Sequence, residues 1–134
     1  MQLESGCGYP PICRANNHLY IVRDGEMEVI RADKQDISSK YVNPHPFTDH
    51  SVEVQDGDVI YLFSDGFPDQ FGGPDRKKYK YGKFKRFLLE IHQEPMHKQK
   101  ELLLKELDGW MGDHEQIDDV LVMGVRIHRA SVAQ

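Results

Sequence analysis

Apolar residues recur along the chain with two different periods, and the change between them marks out the elements. LYIVR at 19–23 and MEVI at 27–30 are β-rich runs around Asp24-Gly25, which predicts a hairpin. SVEV at 51–54 alternates, and Gln55-Asp56-Gly57-Asp58 then turns the chain into VIYLF at 59–63. That run is apolar throughout and predicts a central strand covered on both faces. From Tyr81 the period lengthens, since Phe84, Phe87, Leu88 and Ile91 share one helical stripe. Pro95 opens a second helix that carries Leu103, Leu107 and Trp110 on one face, with Leu104 and Met111 beside them, and Gly112 closes it. From Met96 to Met111 that helix would be about 24 Å long. VLVMGVRI at 120–127 predicts a last, near-continuously apolar strand behind Asp118-Asp119, and a frayed tail follows His128. Residues 32–49, with Asn43-Pro44 and His45-Pro46, form a long loop. Strands come first, then two helices, then a strand, so the fold class is α+β: an antiparallel sheet with two helices on a face, in one unit.

At 134 residues, 39% hydrophobic and 29% charged, the composition is that of an ordinary globular domain. No apolar stretch approaches the roughly 20 residues of a membrane span, and the first residues lack a secretory signal, so a cytoplasmic protein without membrane contact is expected. Cys7 and Cys13 are expected as free thiols, with a small bridged loop as the alternative; a zinc site would need four ligands, and only His18 is near.

Charge is uneven. The formal net charge is -5, yet residues 76–86 hold seven cations and no acid, against 10 cations and 22 acids elsewhere. An overall acidic chain argues against nucleic acid as partner. The basic stretch, with Lys77, Lys78 and Lys80 at its head, is either a solvated face or a docking site for an acidic or phosphorylated partner.

Two acids stand at strand ends. Asp65 follows the strand at 59–63 and Asp118 precedes the strand at 120–127. If those strands are antiparallel neighbours, both carboxylates arrive at one end of the sheet, where hard oxygen donors suit Mn²⁺ or Mg²⁺. Acids beside glycine also form turns and cap helices, and Asp56-Gly57-Asp58 is better explained as a hairpin turn than as a ligand set.

YLFSDGFPDQFGG at 61–73, KKYKYGKF from about 78 and QIDDVLVMGVRI at 116–127 resemble the C-terminal part of the metal-dependent protein serine/threonine phosphatase (PPM) family, in its bacterial SpoIIE-like branch. ANNHLYIVRDGE at 15–26 and GDVIYLFSDG fit the same branch. The resemblance implies a partial phosphatase domain over residues 15–128, an unassigned segment at 1–14 and a tail at 129–134. It further implies an α-β-β-α sandwich with a binuclear Mn²⁺ or Mg²⁺ centre, whose metal-bound water attacks phosphoserine or phosphothreonine without a protein nucleophile. By position Asp65 is the metal ligand of the SDG motif, and Asp118, or alternatively Asp119, is the ligand before the last strand. Asp69 has no ligand role and is expected to cap or orient the loop.

The early aspartate that bridges the metals in the family has no counterpart before Ala15, and His18 stands where the branch often has proline. A shortened domain with weak metal binding and reduced or absent activity is therefore expected, either as a homodimer over its exposed sheet or as a poorly soluble monomer. The implied partner is a phosphorylated regulatory protein such as an anti-sigma-factor antagonist. The competing expectation is a non-catalytic signalling module of the same fold that binds through Lys77, Lys78 and Lys80. A phospho-acceptor domain is discounted, because three or four strands precede any helix.

Overall fold

The computed structural model describes residues 12–13, 17–32 and 49–129. Cys7, Ala15, Asn16, most of the loop at 32–49 and all but the first residue of the tail at 129–134 lie outside the described residues.

In chain order the elements are β1 (Ile12–Cys13), β2 (Leu19–Arg23), β3 (Glu26–Ile30), β4 (Asp49–His50), β5 (Val59–Phe63), α1 (Gly66–Asp69), β6 (Phe71–Gly72), β7 (Lys77–Lys78), α2 (Tyr81–Ile91), α3 (Met96–Met111) and β8 (Val122–Arg126). The main sheet is antiparallel with order β3-β2-β5-β8, and β1-β4 and β6-β7 form two short pairs. Asp24 and Gly25 make the predicted hairpin turn, both with positive φ, 50° and 79°. The α3 boundaries coincide with those expected from Pro95 and Gly112.

Alternation decides which residues meet the helices. Tyr20 and Val22 of β2 and Val59, Tyr61 and Phe63 of β5 point to one face, where Phe84, Leu88 and Ile91 of α2 and Leu107 of α3 close over them. Rings dominate this core. Tyr20–Phe63, Phe63–Phe84 and Phe67–Phe84 have centroids 4.6, 5.1 and 4.9 Å apart, each pair contributing about 0.5–1.5 kcal/mol beyond its buried area. Burial pushes the Tyr61 phenol up to about 12, and its hydroxyl donates to Gln99 Oε1 at 2.6 Å. Gln99 Nε2 in turn donates to the carbonyls of His92 and Glu94, in the turn that follows α2. Arg126 of β8 donates to the same two carbonyls, so α2, α3 and the sheet are pinned at one point.

Three expectations are corrected. SVEV at 51–54 forms no strand; its position is set instead by Arg23, whose guanidinium donates to Glu53 O and grips the buried Asp58 carboxylate at 2.6 and 2.9 Å. β5 is central, but only Val59, Tyr61 and Phe63 are fully buried, while Ile60 and Leu62 on the other face are half-buried. β8 is shorter than its apolar run and lies at the sheet edge, with Met123 and Val125 exposed. No helix of the described residues is long and apolar enough to cross a membrane.

Candidate active site

β5 and β8 pair antiparallel with Phe63 opposite Val122, so the chain leaving β5 runs beside the chain entering β8. Ser64 continues the pairing beyond the last ladder residue. Its N–H donates to Leu121 O at 2.9 Å, its hydroxyl donates to Asp119 O at 2.8 Å, and Leu121 N–H donates back to the same hydroxyl at 2.9 Å. Gly66 completes the junction. A Cβ on it would lie 2.2 Å from Asp119 O and 2.8 Å from Asp119 C, so only a residue without a side chain lets the two backbones come this close.

These contacts place Asp65 between two residues that both touch the Asp118-Asp119 segment. Asp65 is exposed and occupies the N-cap of α1, yet its carboxylate makes no capping bond. The capping role that sequence alone left open is thus not the one its side chain performs. Asp118 and Asp119 are exposed as well. Asp118 Oδ1 accepts the Asp119 N–H at 2.8 Å, whereas the Asp119 carboxylate has no hydrogen-bond or ion-pair partner among the described residues. Both acids remain candidates. In kind, these exposed oxygen donors suit a hard divalent cation. In number they are few: among the described residues no group of three or more His, Cys, Asp or Glu side chains could hold a metal ion.

Behind this end lies a second layer. α1 is a single turn, closed by Asp69 N–H to Asp65 O at 2.9 Å, and Asp69 Oδ1 accepts Lys78 Nζ at 3.1 Å. Gln70 follows, fully buried, and donates through Nε2 to Phe71 O and to Glu115 O. Tyr81 starts α2, and burial, with the nearby Asp69 and Asp65 carboxylates, raises its phenol above the ordinary value.

The basic stretch divides. Lys78 is held by Asp69, Lys83 Nζ sits 4.4 Å over the Tyr79 ring and 4.2 Å over Trp110, and Lys85 lies over Tyr20. Lys77 pairs with its neighbour Asp75 in solvent, and Lys80, exposed at the N-cap of α2, has φ 75°. Sequence reasoning missed α1, the Ser64 clamp and Gln70. A four-residue turn carries no period, and a lone serine or glutamine in a loop gives no signal of its burial.

Comparison with known proteins adds the following. The family model of stage II sporulation protein E (SpoIIE) matches residues 12–128. The SiaA-PP2C domain of Pseudomonas aeruginosa is similar in structure, with a TM-score of 0.74 at 27% identity, over 84% of this chain and 44% of that one. The phosphatase domain of the cell fate determinant SpoIIE from Bacillus subtilis, presoaked with Mn, gives a TM-score of 0.61 at 19% identity, over 87% of this chain and 49% of that one. A further structure of that domain gives 0.60 at 17% identity, over 100% of this chain and 63% of that one. The last two show a shared fold alone. No curated protein matches the chain. It spans about half the length of the solved domains it resembles.

Proposed function

This chain belongs to the SpoIIE family, and we propose that its Asp65 and Asp118-Asp119 end is part of a divalent-metal site for hydrolysing phosphoserine or phosphothreonine in a bacterial regulatory protein. The observation that carries the proposal is the junction of β5 and β8, where the Ser64 hydroxyl bonds and the Gly66 contact bring the two acidic segments together. Asp65 with Asp118 or Asp119 would hold Mn²⁺ or Mg²⁺. When bound, such a cation supplies charge neutralisation at a phosphoryl group and a lowered pKa for water. The protein's own part is to fix the acids. Ser64 and Gly66 set the separation of their backbones, and Lys78 neutralises Asp69, four residues beyond Asp65, which leaves Asp65 as the uncommitted carboxylate of the turn. A phosphorylated partner such as an anti-sigma-factor antagonist, in the cytoplasm, is the expected substrate; Lys80 is exposed to meet its acidic groups, and Lys77 can exchange its solvent-exposed pairing with Asp75 for them.

The test is calorimetric titration with Mn²⁺ of the wild type beside Asp65→Asn, followed by phosphopeptide hydrolysis. Saturable binding that the variant loses supports the site; a folded wild type that takes up no Mn²⁺ overturns it.

The described carboxylates are too few to make a complete metal cluster, and this favours a second reading: a non-catalytic module of the same fold that binds a partner through Lys77, Lys78 and Lys80. Reversing those charges would then abolish partner binding while Asp65→Asn leaves it unchanged. Homodimerisation over the exposed Met123 and Val125 edge belongs to either reading, and sedimentation of the chain measures it.

A further inference from the structure

We propose that Gln70 is a positioning residue for the acidic pair, setting where the 113–119 loop sits relative to Asp65; this rests on the metal-site reading above. Gln70 is 0% exposed and lies five residues after Asp65, at the exit of α1. Its main chain is held from three sides. The N–H donates to Phe67 O at 3.2 Å, and the carbonyl accepts both Tyr79 N–H and Trp110 Nε1–H at 2.9 Å. From this fixed point the side chain reaches across 45 positions of sequence and donates to Glu115 O at 2.8 Å, three residues before Asp118.

The segments 64–70 and 115–121 are therefore tied at both ends. Ser64 binds Asp119 and Leu121 at one end, and Gln70 binds Glu115 at the other. Everything between the ties, Asp65 on one segment and Asp118-Asp119 on the other, has its spacing fixed by them.

Fold stability accounts for only part of the amide: Nε2 also donates to Phe71 O at 3.0 Å, a local bond that does not require reaching the 113–119 loop. Gln70 Oε1 is buried and meets no donor among the described residues, which costs free energy that an apolar side chain of similar length would avoid. Glu115 is exposed, so its carbonyl would find water if the amide were removed. What the amide provides and a methionine would not is a directional hold on the loop. Partners that orient ligands from behind typically change metal affinity about 10–100-fold when they are lost.

Gln99 offers an internal control. It too is a fully buried glutamine whose Nε2 donates to two carbonyls, at the α2–α3 junction and on none of the acidic segments. Wild type, Gln70→Met and Gln99→Met would each be titrated with MnCl₂ by calorimetry after circular dichroism confirms folding. The expected result is at least about tenfold weaker Mn²⁺ binding for Gln70→Met and near-wild-type binding for Gln99→Met. Unchanged affinity in Gln70→Met, or equal weakening in both variants, overturns the inference. If Gln70→Met does not fold, Gln70→Asn, whose amide is one methylene too short to reach Glu115 O, carries the same readout. A wild type that takes up no Mn²⁺ overturns the metal site itself, and the inference with it, before any variant is compared.

Discussion

Replacing Gly66 by alanine should part the two strand ends that form the acidic site. The added Cβ would stand 2.2 Å from Asp119 O, 2.8 Å from Asp119 C and 3.2 Å from Val120 Cα, all backbone atoms that no rotamer change can move aside. Relief to ordinary contact requires a displacement of about 1 Å. The three bonds at this junction, Ser64 N–H to Leu121 O, the Ser64 hydroxyl to Asp119 O and Leu121 N–H to the Ser64 hydroxyl, now span 2.8 to 2.9 Å and would stretch beyond useful length. At about 1 kcal/mol net for each bond the loss is ~2–3 kcal/mol, since water can replace the partners at this exposed end. For a chain of this size that lowers Tm by roughly 8–12 °C. Thermal unfolding followed by circular dichroism measures it, and amide exchange at Leu121 should accelerate in step. Gly57→Ala is the matching control: Gly57 has φ +89° with open space around it, so it should lose only about 1 kcal/mol to backbone strain and leave Leu121 protected. A Gly66→Ala protein that melts within about 2 °C of wild type, with Leu121 exchange unchanged, would refute the close-approach reasoning.

Two further outcomes follow from the packing. The Arg23 guanidinium holds the Asp58 carboxyl below its ordinary value of 3.8, so the pair's stabilisation is complete above that pH and is lost as pH falls through the lower, folded value; Asp58→Asn should lower Tm at neutral pH and flatten the acid limb of a Tm-against-pH curve. Lys83→Gln removes the cation between Tyr79 and Trp110 and should cost about 1 kcal/mol, with a shift in the emission of Trp110, the sole tryptophan, as the local signature.

Elements with local punctuation were legible in the sequence. Pro95 and Gly112 bound α3, and Asp24-Gly25 turns the β2–β3 hairpin, because caps and turns are decided by the residues that form them. The central place of β5 was legible, whereas the edge place of β8 was not. VIYLF and VLVMGVRI look alike as apolar runs, yet one is central and the other lies at the edge, since hydropathy records what a strand could bury and not which neighbours reach it. SVEV alternates like a strand but is held by an ion pair whose members, Arg23 and Asp58, stand 35 positions apart. That Asp65 and Asp118-Asp119 come to one end of the sheet was legible because strand ends are visible as changes of pattern. The bonds that join those segments, from Ser64 and Gln70, span 45 to 57 positions and leave no trace in any short window. The basic stretch misleads in the opposite way, since Lys83 and Lys85 spend their charge within the protein, Lys83 on two rings and Glu106 and Lys85 on Tyr20.

The strand order β3-β2-β5-β8 is also an order in time. Read outward from the hairpin, each strand joins the sheet after its neighbour has been made, and β8 comes last. On the ribosome, Asp65 precedes Asp119 by several seconds at about 5–20 residues per second. Throughout that interval the Ser64 hydroxyl has no Asp119 carbonyl to hold, and the end of β5 stays unjoined. Translation thus delays the closing of this end of the sheet until β8 has been made.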